Sequence, residues 1–196
     1  LARVNVLCVD KTGTITRPDM SVSDVVFLKD NVGKLIAGVA GNMDDDNETM
    51  KAIKDYYHIT DRDNSAERVY SFSSQNKYSG AVLDGRCYIF GAPEYVLLDT
   101  YAEYEDIFER YSGHGERILV FGECVGDPCG NIIEEAVNPY AFIILENEIR
   151  DTAKETFGYF ASQGVDIVVI SGDNPVTASK AVSYTHLRAH ETGRNL

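Results

Sequence analysis

No stretch of the chain approaches the run of about 20 apolar residues that a membrane-spanning helix needs. The longest apolar segments, Ala141–Leu145 and the run around Ile167–Ile170, have the length of core strands. Positive charge is scarce: 18 Lys and Arg stand against 31 Asp and Glu, a formal net charge of −13. A field of that sign repels phosphate backbones and anionic headgroups, which argues against nucleic acid as a partner. Cysteine is sparse too, and Cys8, Cys87, Cys124 and Cys129 show neither paired C-x-x-C spacing nor histidine partners. A zinc site is therefore not expected, and the thiols read as reduced and structural, in a cytosolic setting. Internal repeats and low-complexity linkers are absent as well. What the chain does have is 44% hydrophobic content in 196 residues, with a quarter of them charged. That is enough to bury one substantial core or two modest ones.

Val4–Asp10 is a run of mostly β-favouring apolar residues that ends in an acid and then a Lys-Thr-Gly turn. It reads as a buried parallel strand that delivers a carboxylate at its C-terminal edge, where open α/β sheets place their chemistry. A second such unit is expected at the far end, with strand 140–145, helix 152–163 closed by Gly164, and strand 165–170. Asn174 and Pro175 then suit the N-cap and first position of a further helix. Strand, helix, strand, helix implies a doubly wound parallel sheet. Between these pieces, short strands at 67–72, 80–83, 87–90 and 117–125 alternate with turn residues such as Asp84-Gly85, and helices are expected at 48–57, 93–98 and 103–111. The pattern implies an antiparallel sheet with helices. The expected organisation is one α/β domain, incomplete, made of residues 1–19 and 140–182, with an inserted α+β domain at 20–139. Residues 183–196 lose the amphipathic pattern and read as a non-native tail, and the opening at Leu1 suggests a fragment.

The heptad Asp10-Lys-Thr-Gly-Thr-Ile-Thr16 carries the chemistry. By itself D-K-T-G-T can be an ordinary strand end and polar turn. Yet a carboxylate that attacks a γ-phosphate needs its charge offset, its oxygen aligned with the scissile bond, and donors ready for the equatorial oxygens. Lys11 offers the cation, Gly13 the tight turn, and Thr12 and Thr14 backbone or hydroxyl groups for a phosphoryl group and Mg²⁺. Over its full length the heptad resembles the phosphorylation motif of P-type cation-transporting ATPases. The resemblance implies a haloacid dehalogenase-like fold, an aspartyl-phosphate on Asp10, ATP and Mg²⁺ as cofactors, and Asp10 and Thr12 at the metal. In phosphatases of the same superfamily the second residue after the nucleophile is an Asp that acts as general acid and base. Here it is Thr12, which suits a longer-lived acyl-phosphate.

Other segments extend the resemblance. Ser171-Gly172-Asp173-Asn174-Pro175 is similar to the family's T-G-D-N element, which implies that Ser171 bonds the phosphoryl group while Gly172 and Asp173 face the nucleotide. Phe72-Ser-Ser-Gln-Asn-Lys-Tyr-Ser79 resembles F-S-S-x-x-K-x-S, giving Phe72 the adenine stack and Lys77 a place near the nucleotide. Gly91-Ala-Pro-Glu94 looks like K-G-A-P-E, with Phe90 where many members have lysine. Gly115-Glu-Arg117 is similar to G-x-R, which makes Arg117 a partner for phosphates or ribose, and Glu48 stands where members carry an adenine-contacting Glu. Glu146-Asn-Glu-Ile-Arg150 takes the place of D-P-P-R, with Arg150 kept and Asn147 at the aspartate position. The pattern is closest to bacterial calcium/magnesium-type pumps.

The family's distal G-D-G-x-N-D segment, its actuator domain and its transmembrane helices have no counterpart in the sequence. The chain is therefore expected to be an inactive piece from the cytoplasmic face of a membrane pump, with the transported cation handled by helices elsewhere. A phosphatase with a cap domain, and a degenerate nucleotide-binding module, stay open as alternatives.

Overall fold

The computed structural model describes residues 4–44, 47–61, 63, 65–112 and 116–170. These residues fall into two compact units. Of the described residues, the first unit comprises 4–19, 110–112, 116 and 147–170, and the second those within 20–109 and 117–146.

In the first unit, β1 (Val6–Asp10) pairs in parallel with β8 (Asp166–Ile170), with Asp10 opposite Ile170. α5 (Ala153–Ser162) precedes β8 and turns at Gly164, whose φ of 71° lies in the left-handed region that glycine adopts without cost. A small core gathers here from Ile15, Ala153, Phe157, Ile167 and Val169.

The second unit is built on a six-stranded sheet in the order β2-β7-β6-β5-β4-β3. Its strands are β2 (Thr16–Phe27), β3 (Arg68–Tyr70), β4 (Tyr78–Leu83), β5 (Arg86–Gly91), β6 (Arg117–Glu123) and β7 (Asn138–Ile149). The ladders from β3 to β7 are antiparallel. β4 and β5 are joined through Asp84 and Gly85, both at positive φ, as a two-residue hairpin of the primed kind requires. α1 (Val32–Asn42) and α2 (Glu48–Tyr56) cover one face, burying Val32, Ile36, Val39, Met50 and Ile53 against Phe90, Phe121 and Ile143. α3 (Pro93–Val96), a 3₁₀ segment (Leu98–Tyr104) and α4 (Glu105–Ser112) follow β5.

The expected strand at 140–145 is present, but it belongs to β7 and runs antiparallel to β6 rather than in the parallel sheet. The reason is packing on both faces. Ala141, Ile143 and Leu145 join the core under α1 and α2, while Phe142 meets Tyr104 and Phe108 with ring centroids 5.1 and 5.5 Å apart. A strand buried on two sides loses the apolar/polar alternation of an antiparallel strand and imitates a parallel one. Neither β2 nor α1 was expected from the sequence. The helix was hidden by Gly33, Gly38 and Gly41, which lower helix propensity.

Candidate functional site

Asp10 is the last residue of β1, exposed at the C-terminal end of a parallel pair. Directly after it, Lys11–Ile15 form one π-turn before β2 begins. Gly13 sits at φ 78°, a conformation that would strain any other residue, and its N–H donates to Thr16 Oγ1 at 3.3 Å. Thr16 is 2% exposed and Ile15 1%, so the turn is anchored on its C-terminal side while Gly13 and Thr14 stay open to solvent. Arg150 holds the loop from outside: its guanidinium donates to Gly13 O at 2.9 Å and its backbone N–H to Ile15 O at 2.9 Å. Nothing in the sequence alone announced that grip.

Asn147 has a related task. Its amide lies 3.5, 3.3 and 3.1 Å from the carbonyl oxygens of Arg17, Pro18 and Asp19, to which it donates. A carboxylate at this position would bring only acceptors to three acceptors, which accounts for asparagine where the resembled motif has aspartate. Arg17 in turn pairs with Glu148 at 3.6 Å and Asp151 at 3.1 Å. These exposed pairs add little energy by themselves.

In the second unit the expected nucleotide residues fall into two groups. Phe72 is 49% exposed. After it, the chain turns through Ser73–Asn76 and closes with the Lys77 N–H donating to Ser73 O at 2.8 Å, which leaves Lys77 at φ 60°. The Ala92 N–H donates to Lys77 O at 3.2 Å, and Tyr78 stands opposite Gly91 in the β4–β5 ladder. Lys77 and the Gly91-Ala92 segment are therefore neighbours. Tyr95, 48% exposed, presents its ring to the Lys77 ammonium at 6.0 Å. Sequence reasoning passed over Tyr95, although a large aromatic right after G-A-P-E was a usable signal.

The second group centres on Met20, whose sulfur lies 3.7 Å from Thr49 Oγ1 and 4.0 Å from the Arg117 guanidinium. Glu48 opens α2 beside Thr49 and pairs with Lys51 at 3.2 Å. Lys77 precedes β4, Ala92 follows β5 and Arg117 opens β6, so both groups lie at one end of the antiparallel sheet.

Two motif positions have a packing role. A Cβ on Gly91 would stand 2.3 Å from Val96 Cγ1, so the glycine is required by the contact between β5 and α3. Phe90, where many relatives of this pattern carry lysine, is 2% exposed and packs on Phe121 at 4.8 Å. It lines no surface.

Ser171, Gly172 and Asp173, along with Asn174 and Pro175, lie outside the described residues, as do the side chains of Lys11 and Thr12. Among the described residues there is no group of three or more His, Cys, Asp or Glu able to hold a metal. The exposed Asp10 carboxylate is compatible with Mg²⁺, which keeps most of its waters and takes one or two carboxylates plus substrate phosphates.

A carboxylate at the end of a parallel strand, in an α/β unit interrupted by an antiparallel-sheet unit, defines the class: a hydrolase-type α/β domain carrying a large insertion. The chain belongs to the haloacid dehalogenase-like hydrolase family, which it matches over residues 4–191. It is homologous to cation-transporting P-type ATPases. It is 38% identical over 179 residues to the calcium-transporting ATPase CtpE of Mycolicibacterium smegmatis, covering 90% of this chain and 22% of that protein. To the probable cation-transporting ATPase exp7 of Streptococcus pneumoniae it is 34% identical, over 91% of this chain and 23% of the relative. A zinc-transporting PIB-type ATPase in its E2.Pi state shares the fold, with a TM-score of 0.65 at 19% identity, over 96% of this chain and 29% of that one. The chain thus spans about a quarter of the length of these relatives. Among the described residues, no helix is long and apolar enough to cross a membrane.

Proposed function

We propose that this chain is the part of a P-type cation-transporting ATPase in which ATP is bound and an aspartate is phosphorylated. The observation that carries the reading is Asp10 itself, exposed at the end of β1 and followed by the Lys11–Ile15 turn that Thr16 and Arg150 hold in shape.

In this mechanism the Asp10 carboxylate attacks the γ-phosphorus of ATP, an O–P bond forms as the bond to ADP breaks, and an acyl-phosphate remains on Asp10. Lys11 offsets the charge of the reacting oxygens, and the Thr12 and Thr14 groups donate to the phosphoryl oxygens. Ser171 adds a hydroxyl donor, with Gly172 and Asp173 on the nucleotide side. Asp10 and Thr12 would hold Mg²⁺, which neutralises developing phosphate charge when bound. Phe72 stacks on adenine, Lys77 and Arg117 contact phosphates or ribose, and Glu48 and Gly91 border the base. Thr12 leaves no carboxylate two residues on to take a proton from water, so the acyl-phosphate persists long enough to be coupled to another event.

The coupled event is cation movement by membrane helices of the intact protein, which places this chain at the cytoplasmic face. The 38% identity to a calcium-transporting ATPase supports a calcium or similar divalent cargo. The chain alone is expected to bind nucleotide weakly and to show no steady-state turnover.

Incubating the intact parent protein with γ-labelled ATP should trap acid-stable label that is lost in Asp10→Asn. Labelling that survives this substitution would remove the proposal. Rapid hydrolysis of p-nitrophenyl phosphate by the chain would instead support the phosphatase reading.

A further inference from the structure

Two of the cysteines face each other across the β5–β6 ladder. The register sets Tyr88 opposite Glu123, so the next residues outward are Cys87 and Cys124, and the Cys124 N–H donates to Cys87 O at 2.8 Å. Directly facing residues of an antiparallel pair have Cα atoms about 4.5–5.5 Å apart. That falls inside the range of about 4.4–6.8 Å that a disulfide spans, so a bond could close without moving the strands. Both thiols are free and buried, at 4% and 8% exposure.

Their surroundings are not symmetric. The neighbouring Cys124 thiol and then burial hold the Cys87 thiol far above its ordinary value, whereas the neighbouring Cys87 thiol lowers Cys124 against the opposing effect of burial; the Cys124 Sγ itself lies 3.9 Å from Val125 O. Cys124 is also nearer solvent, since it lies just past the last residue of β6 and is followed by Val125, 60% exposed, and by Gly126 at φ 69°. Cys129 is engaged elsewhere: its sulfur lies 3.7 Å from the Arg68 guanidinium and its N–H donates to Asp127 Oδ1 at 2.8 Å.

We propose that Cys87 and Cys124 are a peroxide-sensitive dithiol, a modification site that closes to an intrachain disulfide between β5 and β6. In the first step the Cys124 sulfur attacks hydrogen peroxide. An S–O bond forms, the O–O bond breaks, and the departing hydroxide takes up a proton to leave as water. The Cys87 sulfur then attacks Cys124 Sγ, the S–S bond forms, and the S–O bond breaks with loss of a second water carrying the Cys87 proton. Two thiols and one peroxide become one disulfide and two waters.

The test treats the whole chain with a small excess of hydrogen peroxide, followed by intact mass measurement and peptide mapping without reductant. The expected result is loss of the mass of two hydrogens, two fewer thiols reacting with maleimide, and a peptide holding Cys87 joined to one holding Cys124, all reversed by dithiothreitol. Cys129→Ser should behave like the parent. Cys87→Ser should stop at a sulfenic acid on Cys124 that dimedone captures. A linkage through Cys129 or Cys8 overturns the proposal, as does oxidation to sulfinic acid with no disulfide. If Cys87→Ser does not fold, the peptide map of the unsubstituted chain decides alone.

Discussion

At Gly91 an added methyl group would meet Val96 Cγ1 at 2.3 Å and Tyr78 Cβ at 3.3 Å, and both neighbours are fully packed. Gly91→Ala should therefore destabilise the chain by about 1–3 kcal/mol, as overpacking does, read as a lower denaturant midpoint with unchanged slope. Had the glycine served only to admit a ligand, stability would not move and nucleotide affinity alone would fall. Phe90 teaches the same lesson from the other side, because its ring fills the core where a lysine would have to reach solvent. Residues singled out for local chemistry lie where a ligand could reach them: Asp10, Phe72 and Lys77 all stand exposed or half-buried on turns and strand ends. Those whose role is a distant contact were not legible in the sequence. The Arg150 bond to Gly13 O spans 137 positions, and the Met20 sulfur meets Arg117 across 97.

At the scale of elements, α2 begins in the manner its sequence suggests. Asn47 is an extended N-cap whose side chain accepts from the Met50 N–H at 2.9 Å, with Glu48 in the first turn and Lys54 in the last. Asn47→Ala should cost about 1 kcal/mol, with the loss appearing as faster amide exchange in the first turn of α2. Glu48 is presented by that same turn, so the nucleotide contact proposed for it predicts weaker nucleotide binding as well. α5 and the β4–β5 hairpin were equally legible, from amphipathic spacing and from Asp84-Gly85. β7 was legible as a strand and not as a member of its sheet. Its apolar run reports burial on both faces, and burial does not specify whether a neighbour runs parallel or antiparallel.

Over the whole molecule, partly or fully buried phenols should set an alkaline limit. Desolvation, with Tyr56 second, pushes Tyr57 up to about 12. Tyr78 is likewise pushed to about 12, by desolvation and then by Cys124, and it donates to Asn131 O at 2.7 Å. The Tyr57 hydroxyl has no hydrogen-bond partner among the described residues. An unfolded tyrosine ionises near pH 10, so the folded state binds these protons more tightly. Stability from the neutral phenols should be fully present below pH 10 and be lost as the pH rises through about 12. Thermal melts across that interval, with tyrosinate absorbance recorded in parallel, should show a falling midpoint; a flat profile would contradict the burial of these groups. By itself the sequence determined the elements with strong local patterns, the carboxylate at the end of β1, and membership in a family of α/β hydrolases with a large insertion. Those features depend on short-range spacing and on turn chemistry. The tertiary structure decided that residues 140–145 join the antiparallel sheet, that Arg150 and Thr16 shape the loop after Asp10, and that Cys87 faces Cys124. Strand pairing and packing between residues far apart in the chain are chosen by the summed energy of many weak contacts, and no single segment carries that sum.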